Sequence, residues 1–215
     1  MRISFDKLHN ERKMFIQENR FKDHVYLEGS SPVLISSPHG VSQVRLGKLK
    51  VAEIGSLAAA LFLKNQTKSH FIAKTKNNND DANFDEESRY KTHLKEIIKS
   101  KNIKFVLDLH GLAPHRECDI NLGTHLGANI VSNKRAYVAL VKLLEDSGFV
   151  VSIDQPFMAG AVTIAGSIKK EFPEVWTIQI EVNCAITNRK ENFGKYKQLL
   201  TALTEWCKLA ESERF

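Results

Sequence analysis

Cysteine is scarce in this sequence, and so are proline, tryptophan and long apolar runs. Three cysteines, Cys118, Cys184 and Cys207, stand among 215 residues. An odd count without C-x-x-C spacing argues against a disulfide framework and against a thiolate zinc knuckle. Five prolines and eleven glycines form no linker-like tract, so a single domain over residues 1–215 is expected. No uninterrupted apolar stretch approaches the roughly 18 residues that span a bilayer, so no membrane association is expected. The opening segment "MRISFDKLHNERKMF" is broken by charges every few positions. That is not the pattern of a secretory signal, and a cytoplasmic protein is expected. A basic patch with interleaved aromatics is also missing. The net charge of +6 comes from Lys and Arg scattered along the chain, so nucleic acid is not an expected partner. A basic surface of this kind favours small anionic substrates. Nothing in the sequence marks an interface, and the oligomeric state stays open.

What is present is alternation. Short β-branched runs at 32–36, 70–76, 103–111, 149–157 and 176–183 read as strands. Runs with apolar residues at three-and-four spacing, at 49–64, 86–101, 134–148 and 192–213, read as helices, and "TIAGSIKKEFP" as a shorter one. Gly148 is placed to cap the third of the long helices. Repeated β–α alternation predicts an α/β fold with a mainly parallel or mixed central sheet and helices on both faces. In such sheets ligands bind beyond the carboxyl ends of the strands. The polar residues found there are therefore the candidates for chemistry.

Four strand ends are chemically dense. "SSPHG" carries His39, and "NNNDDANFD" carries Asp80, Asp81, Asn83 and Asp85. "LDLHG" carries Asp108 and His110, and "QIEVNCAITNR" carries Gln179, Glu181, Asn183 and Arg189. The period of a strand puts Asp108 and His110 on one face of their strand, and likewise Gln179, Glu181 and Asn183 on one face of theirs. Two His-Gly pairs, each after an apolar strand, together with several carboxylates, are best suited to a zinc site. Catalytic zinc takes three N/O ligands and leaves one position for water, whose pKa falls to about 7. A free carboxylate alongside serves as general base. Asp108 could orient a ligand histidine as an acceptor. Other motifs are missing or malformed. "GVSQVRLGK" has six residues between its glycines, where a P-loop has four, and Leu49 follows the lysine. There is no G-x-G-x-x-G and no G-x-S-x-G. Cys184 reads as a buried, inert thiol rather than a nucleophile.

The ordered set "SSPHG", "DDAN", "LDLHG", "DINLGT" and "QIEVN" resembles the N-formylglutamate amidohydrolase family over roughly residues 32–190. The resemblance implies a zinc-carboxypeptidase-like (phosphorylase/hydrolase-like) α/β fold. It also implies one zinc ion and a metal-dependent hydrolase acting on amide C–N bonds, not specific for peptides. Carried over by motif, His39 and His110 would be zinc ligands and Glu181 the general base. Asn83 would touch the carboxylate of a small substrate, and Asp119 would shape the pocket. Two departures follow. Relatives of the fold often carry H-x-x-E, but position 42 is Ser. The third ligand is expected to be Glu53, at the start of the following helix, with Asp81 next and Gln43 third. Phe84 stands where the family often has Arg, so the arginine that pairs with the substrate carboxylate would be Arg45, Arg89 or Arg189. The expected activity is cleavage of a small N-acyl or N-formyl amino acid by metal-activated water. The alternatives are a zinc peptidase, a poly-glutamate hydrolase, or a non-catalytic binding module on the same fold.

Overall fold

The computed structural model describes residues 3–215. Nine strands and seven α-helices follow one another along these residues. The strands are β1 (His24–Leu27), β2 (Val33–Ser37), β3 (Gln43–Arg45), β4 (Lys48–Lys50), β5 (His70–Lys74), β6 (Phe105–Leu112), β7 (Ile120–Gly123), β8 (Val151–Ile153) and β9 (Trp176–Asn183). The helices are α1 (Phe5–Asn19), α2 (Ile54–Gln66), α3 (Arg89–Lys101), α4 (Lys134–Asp146), α5 (Ile164–Glu171), α6 (Cys184–Thr187) and α7 (Phe193–Glu211).

Seven of the strands make one mixed sheet in the order β1-β5-β2-β6-β9-β7-β8. The centre, β5-β2-β6-β9, is parallel throughout. Antiparallel pairings add β1 to one side and β7 to the other. The central strands are buried on both faces, as parallel strands between helical layers must be. Alternation sorts their side chains. Val33, Ile35, Phe71, Leu107, Leu109, Ile178 and Ile180 join a core with residues of α2, α4 and α7, where the Trp176 and Trp206 rings stack at 5.0 Å. Leu34, Ile72 and Val106 point into a smaller core with Tyr90, Leu94 and Ile97 of α3 and Ile164 and Ile168 of α5. On this second face the strands change character toward their carboxyl ends. Ser36, Asp108, His110, Gln179 and Glu181 continue the parity of Leu34 and Val106 and are all buried.

Three features differ from the sequence expectations. The helix expected from residue 49 starts at Ile54, and Lys48–Lys50 instead pairs with Gln43–Arg45 as a hairpin. Leu46 and Gly47 both take positive φ, 50° and 74°, which is the backbone a two-residue type I′ turn needs. The strand expected at 149–157 shrinks to Val151–Ile153, because Asp154 turns the chain with a φ of 56°. The charged N-terminal segment forms a helix, capped by Ser4 and anchored by the buried Leu8. Gly148 does take the left-handed conformation (φ 81°) just beyond α4. Among the described residues no helix is long and apolar enough to cross a membrane.

Candidate metal and catalytic centre

Strand order reverses between β2 and β6. From β2 the chain crosses through α2 to β5 on one side, and then through α3 to β6 on the other. At such a switch point the two connections leave in opposite directions and open a crevice at the strand carboxyl ends. His39 lies just past β2, and His110 near the end of β6. The pairing of β6 with β9 extends to Leu112↔Asn183, so His110 sits within its strand rather than beyond it. Glu181 is its direct cross-strand partner.

Three donor groups converge in this crevice. His39 Nδ1 lies 3.0 Å from His110 Nδ1 and 2.9 Å from Glu53 Oε1. His110 Nδ1 lies 3.5 Å from Glu53 Oε2. All three side chains are buried, and their donor atoms lie within 4.8 Å of one another. Glu53 arrives by backbone as well as by side chain. Its N–H donates to the His39 carbonyl (2.9 Å) and its Oε2 accepts from Gly111 N (2.8 Å). Lys50 also donates to its Oε1. Gly111 leaves the room this needs, because a Cβ there would come within 3.2 Å of the Glu53 side chain and 3.0 Å of Cys184 Sγ.

The outer nitrogen of each ring is held by a carboxylate. His39 Nε2 lies 2.8 Å from Asp81 Oδ1, and His110 Nε2 lies 2.9 Å from Asp108 Oδ2. These carboxylates are themselves fixed. Ser36 Oγ donates to Asp108 Oδ1 (2.7 Å), while Arg45 Nε and the backbone N–H of Asn83 donate to Asp81. In the tautomer that gives each Nε2–H to its carboxylate, both Nδ1 lone pairs face inward toward the Glu53 carboxylate, as metal ligation requires. Two imidazoles and a carboxylate so arranged form the donor set of a divalent cation such as zinc, with the outer carboxylates that orient histidine ligands. These residues fit a metal ion.

Burial and neighbouring charges set the proton affinities of these groups. Burial lowers the pKa of His110, but Asp108 and then Glu53 outweigh it and raise it well above the ordinary value. Burial pushes the Glu53 carboxyl up, and His39 and His110 more than reverse this, holding it well below the carboxylate range. Asp81 likewise is raised by burial but held low by His39 and Arg45. Glu181 is different. Burial raises it to about 7, with Glu53 adding to the rise and His110 opposing it. It is a carboxyl poised to exchange a proton near neutrality. Its one side-chain hydrogen bond is from Gln179 Nε2, at 2.9 Å.

His39, Glu53 and Glu181 line a cavity of about 330 Å³ together with Arg45, Lys50 and Asn83. A wider cleft of about 470 Å³ opens at the amino ends of β6 and β9, but no histidine, cysteine or aspartate lines it. Of the residues expected from sequence, the structure brings together His39, Glu53, His110, Glu181, Asn83 and Arg45. Arg189 is not among them: α6 carries the chain away after β9, and Arg189 is exposed outside the cavity. Arg89 is exposed on a different surface, at the start of α3. Asp81 sits on the outer nitrogen of His39, away from Glu53. Gln43 bonds to the Pro38 carbonyl and the Ala82 amide. Asp119 holds Lys195 (2.7 Å) and the Val150 amide (2.8 Å), so it braces β8 and α7 rather than the pocket. Asn183 caps α6 through Ala185 N. Burial raises the Cys184 thiol to about 11, consistent with an inert thiol.

No protein-family model matches the sequence, and no curated protein matches it. Solved structures do. A gene product of Agrobacterium tumefaciens superposes with a TM-score of 0.68 at 15% identity, over 94% of this chain and 98% of its own. N-formylglutamate amidohydrolase from Ralstonia eutropha JMP134 gives 0.63 at 15% identity, over 88% and 97%. A bacteriophage poly-gamma-glutamate hydrolase gives 0.53 at 15%, over 89% of each chain. The chain has the fold of these proteins.

At that identity the likeness carries the fold, and chemistry has to be argued from the site. Sequence reasoning did not find Lys50 or the loop at 156–163, both of which line the cavity. Lys50 has a signal in hindsight, three residues ahead of Glu53 and beyond a turn marked by Gly47. The loop has none, since its residues are ordinary apolar ones whose placement depends on the packing of β7 and β8.

Proposed function

We propose that this protein is a metal-dependent amidohydrolase that cleaves the amide bond of a small N-acyl amino acid, with zinc held by His39, Glu53 and His110. The observation that carries the reading is the convergence of two Nδ1 atoms and a carboxylate, each ring backed by its own buried carboxylate, beside a carboxyl that holds no place in that set. An ion bound there supplies Lewis acidity, which lowers the pKa of water and polarises a carbonyl. Glu181, buried beside that set and outside it, would accept the proton of the attacking water and return it to the leaving amine nitrogen, as a general base and then a general acid. Gln179 holds the Glu181 carboxyl from one side. Asn83 ties the same wall together: its Nδ2 donates to Gln179 Oε1 (3.3 Å) and its Oδ1 accepts from Ile164 N (2.8 Å). Arg45 lines the cavity with a single side-chain bond, to Asp81. The rest of its guanidinium is free for a substrate carboxylate.

Metal analysis after zinc equilibration tests the reading. About one ion per chain is expected, lost in His110→Ala and kept in Glu181→Gln, while Glu181→Gln loses turnover on a panel of N-acyl amino acids. A binding module on this fold would instead keep the ion and show no chelator-sensitive turnover in any form. A metal content near zero in the unaltered protein would overturn the assignment.

A further inference from the structure

The cavity is built from two unlike sets of residues. The β3–β4 hairpin contributes Arg45 and Lys50. Phe84 and the loop after β8 contribute Pro156, Phe157, Met158, Ala159 and Val162. Within this apolar set Phe157 and Met158 are each 41% exposed, Val162 52% and Phe84 38%. Apolar side chains grouped at a concave surface, with nothing of the fold covering them, mark a binding surface. The loop cannot readily fold away. Its Met158 carbonyl accepts from His125 N (2.6 Å), its Ala159 carbonyl from Asn129 Nδ2 (3.0 Å), and Asn121 Oδ1 holds Phe157 N (3.2 Å).

The cations are few and partly engaged. Arg45 and Lys50 are the only Lys or Arg lining the cavity among the described residues. Lys50 donates to Glu53. Arg45 uses Nε on Asp81, and its guanidinium lies 5.0 Å from the Phe84 ring centroid. One guanidinium edge is left, enough for one carboxylate. The remaining polar residues of the lining, Asn83, Thr163 and Gln179, are bonded within the fold, so a second carboxylate would meet the apolar wall at the cost of its hydration.

We propose that the substrate is an N-acyl amino acid with a single carboxylate, held by Arg45, and one bulky apolar group, packed against Phe84, Phe157, Met158 and Val162. This rests on the amide-hydrolysis reading above and narrows it. The apolar group can belong to the amino acid or to the acyl chain, and two probes separate these sources.

The experiment compares kcat/KM of the zinc-loaded protein for N-formylphenylalanine, N-phenylacetylglycine, N-formylglutamate and N-formylglycine. One of the two aromatic probes is expected to exceed N-formylglutamate and N-formylglycine by roughly 10- to 100-fold, the range for filling an apolar pocket. Phe157→Ala is expected to lower the ratio of that aromatic probe to N-formylglycine about 10-fold, and Val162→Ser to lower it in the same direction. Both side chains are substantially exposed, so neither change empties the core. N-formylglutamate matching or exceeding both aromatic probes overturns the proposal, and so does a ratio unchanged in both variants. Calorimetric binding of the four compounds to zinc-loaded Glu181→Gln protein decides the matter independently of turnover. Tighter binding of an aromatic probe than of N-formylglutamate supports the proposal even where no compound is cleaved, an outcome that would remove the hydrolase reading alone. Binding of none, or tightest binding of N-formylglutamate, overturns it.

Discussion

Replacing Asp108 with Asn keeps the outline of the side chain and removes its charge. The carboxylate is fully buried, receives Ser36 Oγ at 2.7 Å and faces His110 Nε2 at 2.9 Å. An asparagine can keep both contacts, its oxygen accepting from the ring and its Nδ2 donating to Ser36 Oγ, whose hydroxyl then donates to Tyr90, so the fold is expected to survive. What changes is the electron density at Nδ1, the atom facing His39 and Glu53. Loss of such an orienting carboxylate typically weakens metal affinity 10- to 100-fold, about 1.4 to 2.7 kcal/mol. Protons complicate this in an informative way. Asp108 is the chief influence raising the pKa of His110 against the effect of burial. Below that raised pKa a metal ion has to displace a proton, and the apparent affinity falls about tenfold per pH unit. Asp108→Asn lowers the pKa, so the variant meets less proton competition. The deficit is therefore expected to be small on the acid side and to widen as pH rises, reaching its full 10- to 100-fold where no proton competes. Titration of zinc against a chromophoric chelator across pH reads this directly. A variant that binds zinc as tightly as the unaltered protein at the alkaline end, or shows the same deficit at every pH, would refute the placement of Asp108 behind a metal ligand.

Three further outcomes are expected. Glu181→Gln should reduce turnover by about 10²- to 10⁴-fold, the share of a general base, with zinc content unchanged by metal analysis. In the metal-free protein the same substitution should stabilise. The Glu181 carboxyl keeps its proton to about 7 where the ordinary value is 4.5, so the unfolded chain ionises first and stability falls as pH rises through that window. Denaturant unfolding at and above the upper end should show Glu181→Gln more stable by up to about 3 kcal/mol, with the difference gone below the ordinary value. Gly111→Ala would bring a Cβ to 3.2 Å from Glu53 Cβ and Cγ and 3.0 Å from Cys184 Sγ. Displacing the ligand carboxylate should lower zinc affinity more than it lowers metal-free stability, as chelator competition and denaturant midpoints together would show.

Much of this centre is written in local pattern. His39, His110 and Glu181 stand at the ends of apolar runs, and the period of a strand already pairs Asp108 with His110 and Gln179 with Glu181. These were legible because a buried strand leaves a strong signal, and because the chemistry of a parallel sheet gathers at one end. Arg45 and Arg189 could not be told apart by that logic, since each follows a strand end in sequence. The difference lies in what comes next. The chain after β2 doubles back as a hairpin over the crevice, while the chain after β9 enters α6 and leaves it. The hairpin itself was hidden because Leu49, Ala52 and Leu57 continue a helical spacing across it. The turn at Leu46 and Gly47, with the positive φ of Leu46 unusual for a leucine, sets the hairpin apart from the helix. The helix α1 was obscured for the opposite reason, as its charged face outweighs an apolar one that reduces to Leu8 and a few partly buried neighbours.

The position of Glu53 shows how a side chain can be far in sequence from the histidines it meets and still be rigidly placed. Fourteen residues separate it from His39, yet its N–H is bonded to the His39 carbonyl and its Oε2 to the Gly111 amide. Those two bonds tie it to the backbone of both histidine-bearing segments, so it moves with the histidines rather than with the hairpin. Ser42, where a shorter loop could have supplied a glutamate, instead accepts the Ala52 amide at 3.3 Å and helps close the base of the hairpin. This stretch of chain brings the Glu53 carboxylate to the two histidines at the start of α2, and it places Arg45 and Lys50 at the cavity on the way. Arg45 and Lys50 belong to the hairpin and Glu53 follows it, and the contact between Lys50 and Glu53 links the two. Shortening the 43–50 segment would withdraw Arg45 and Lys50 from the cavity and, through the Lys50–Glu53 contact, disturb the placement of Glu53 beside the histidines as well.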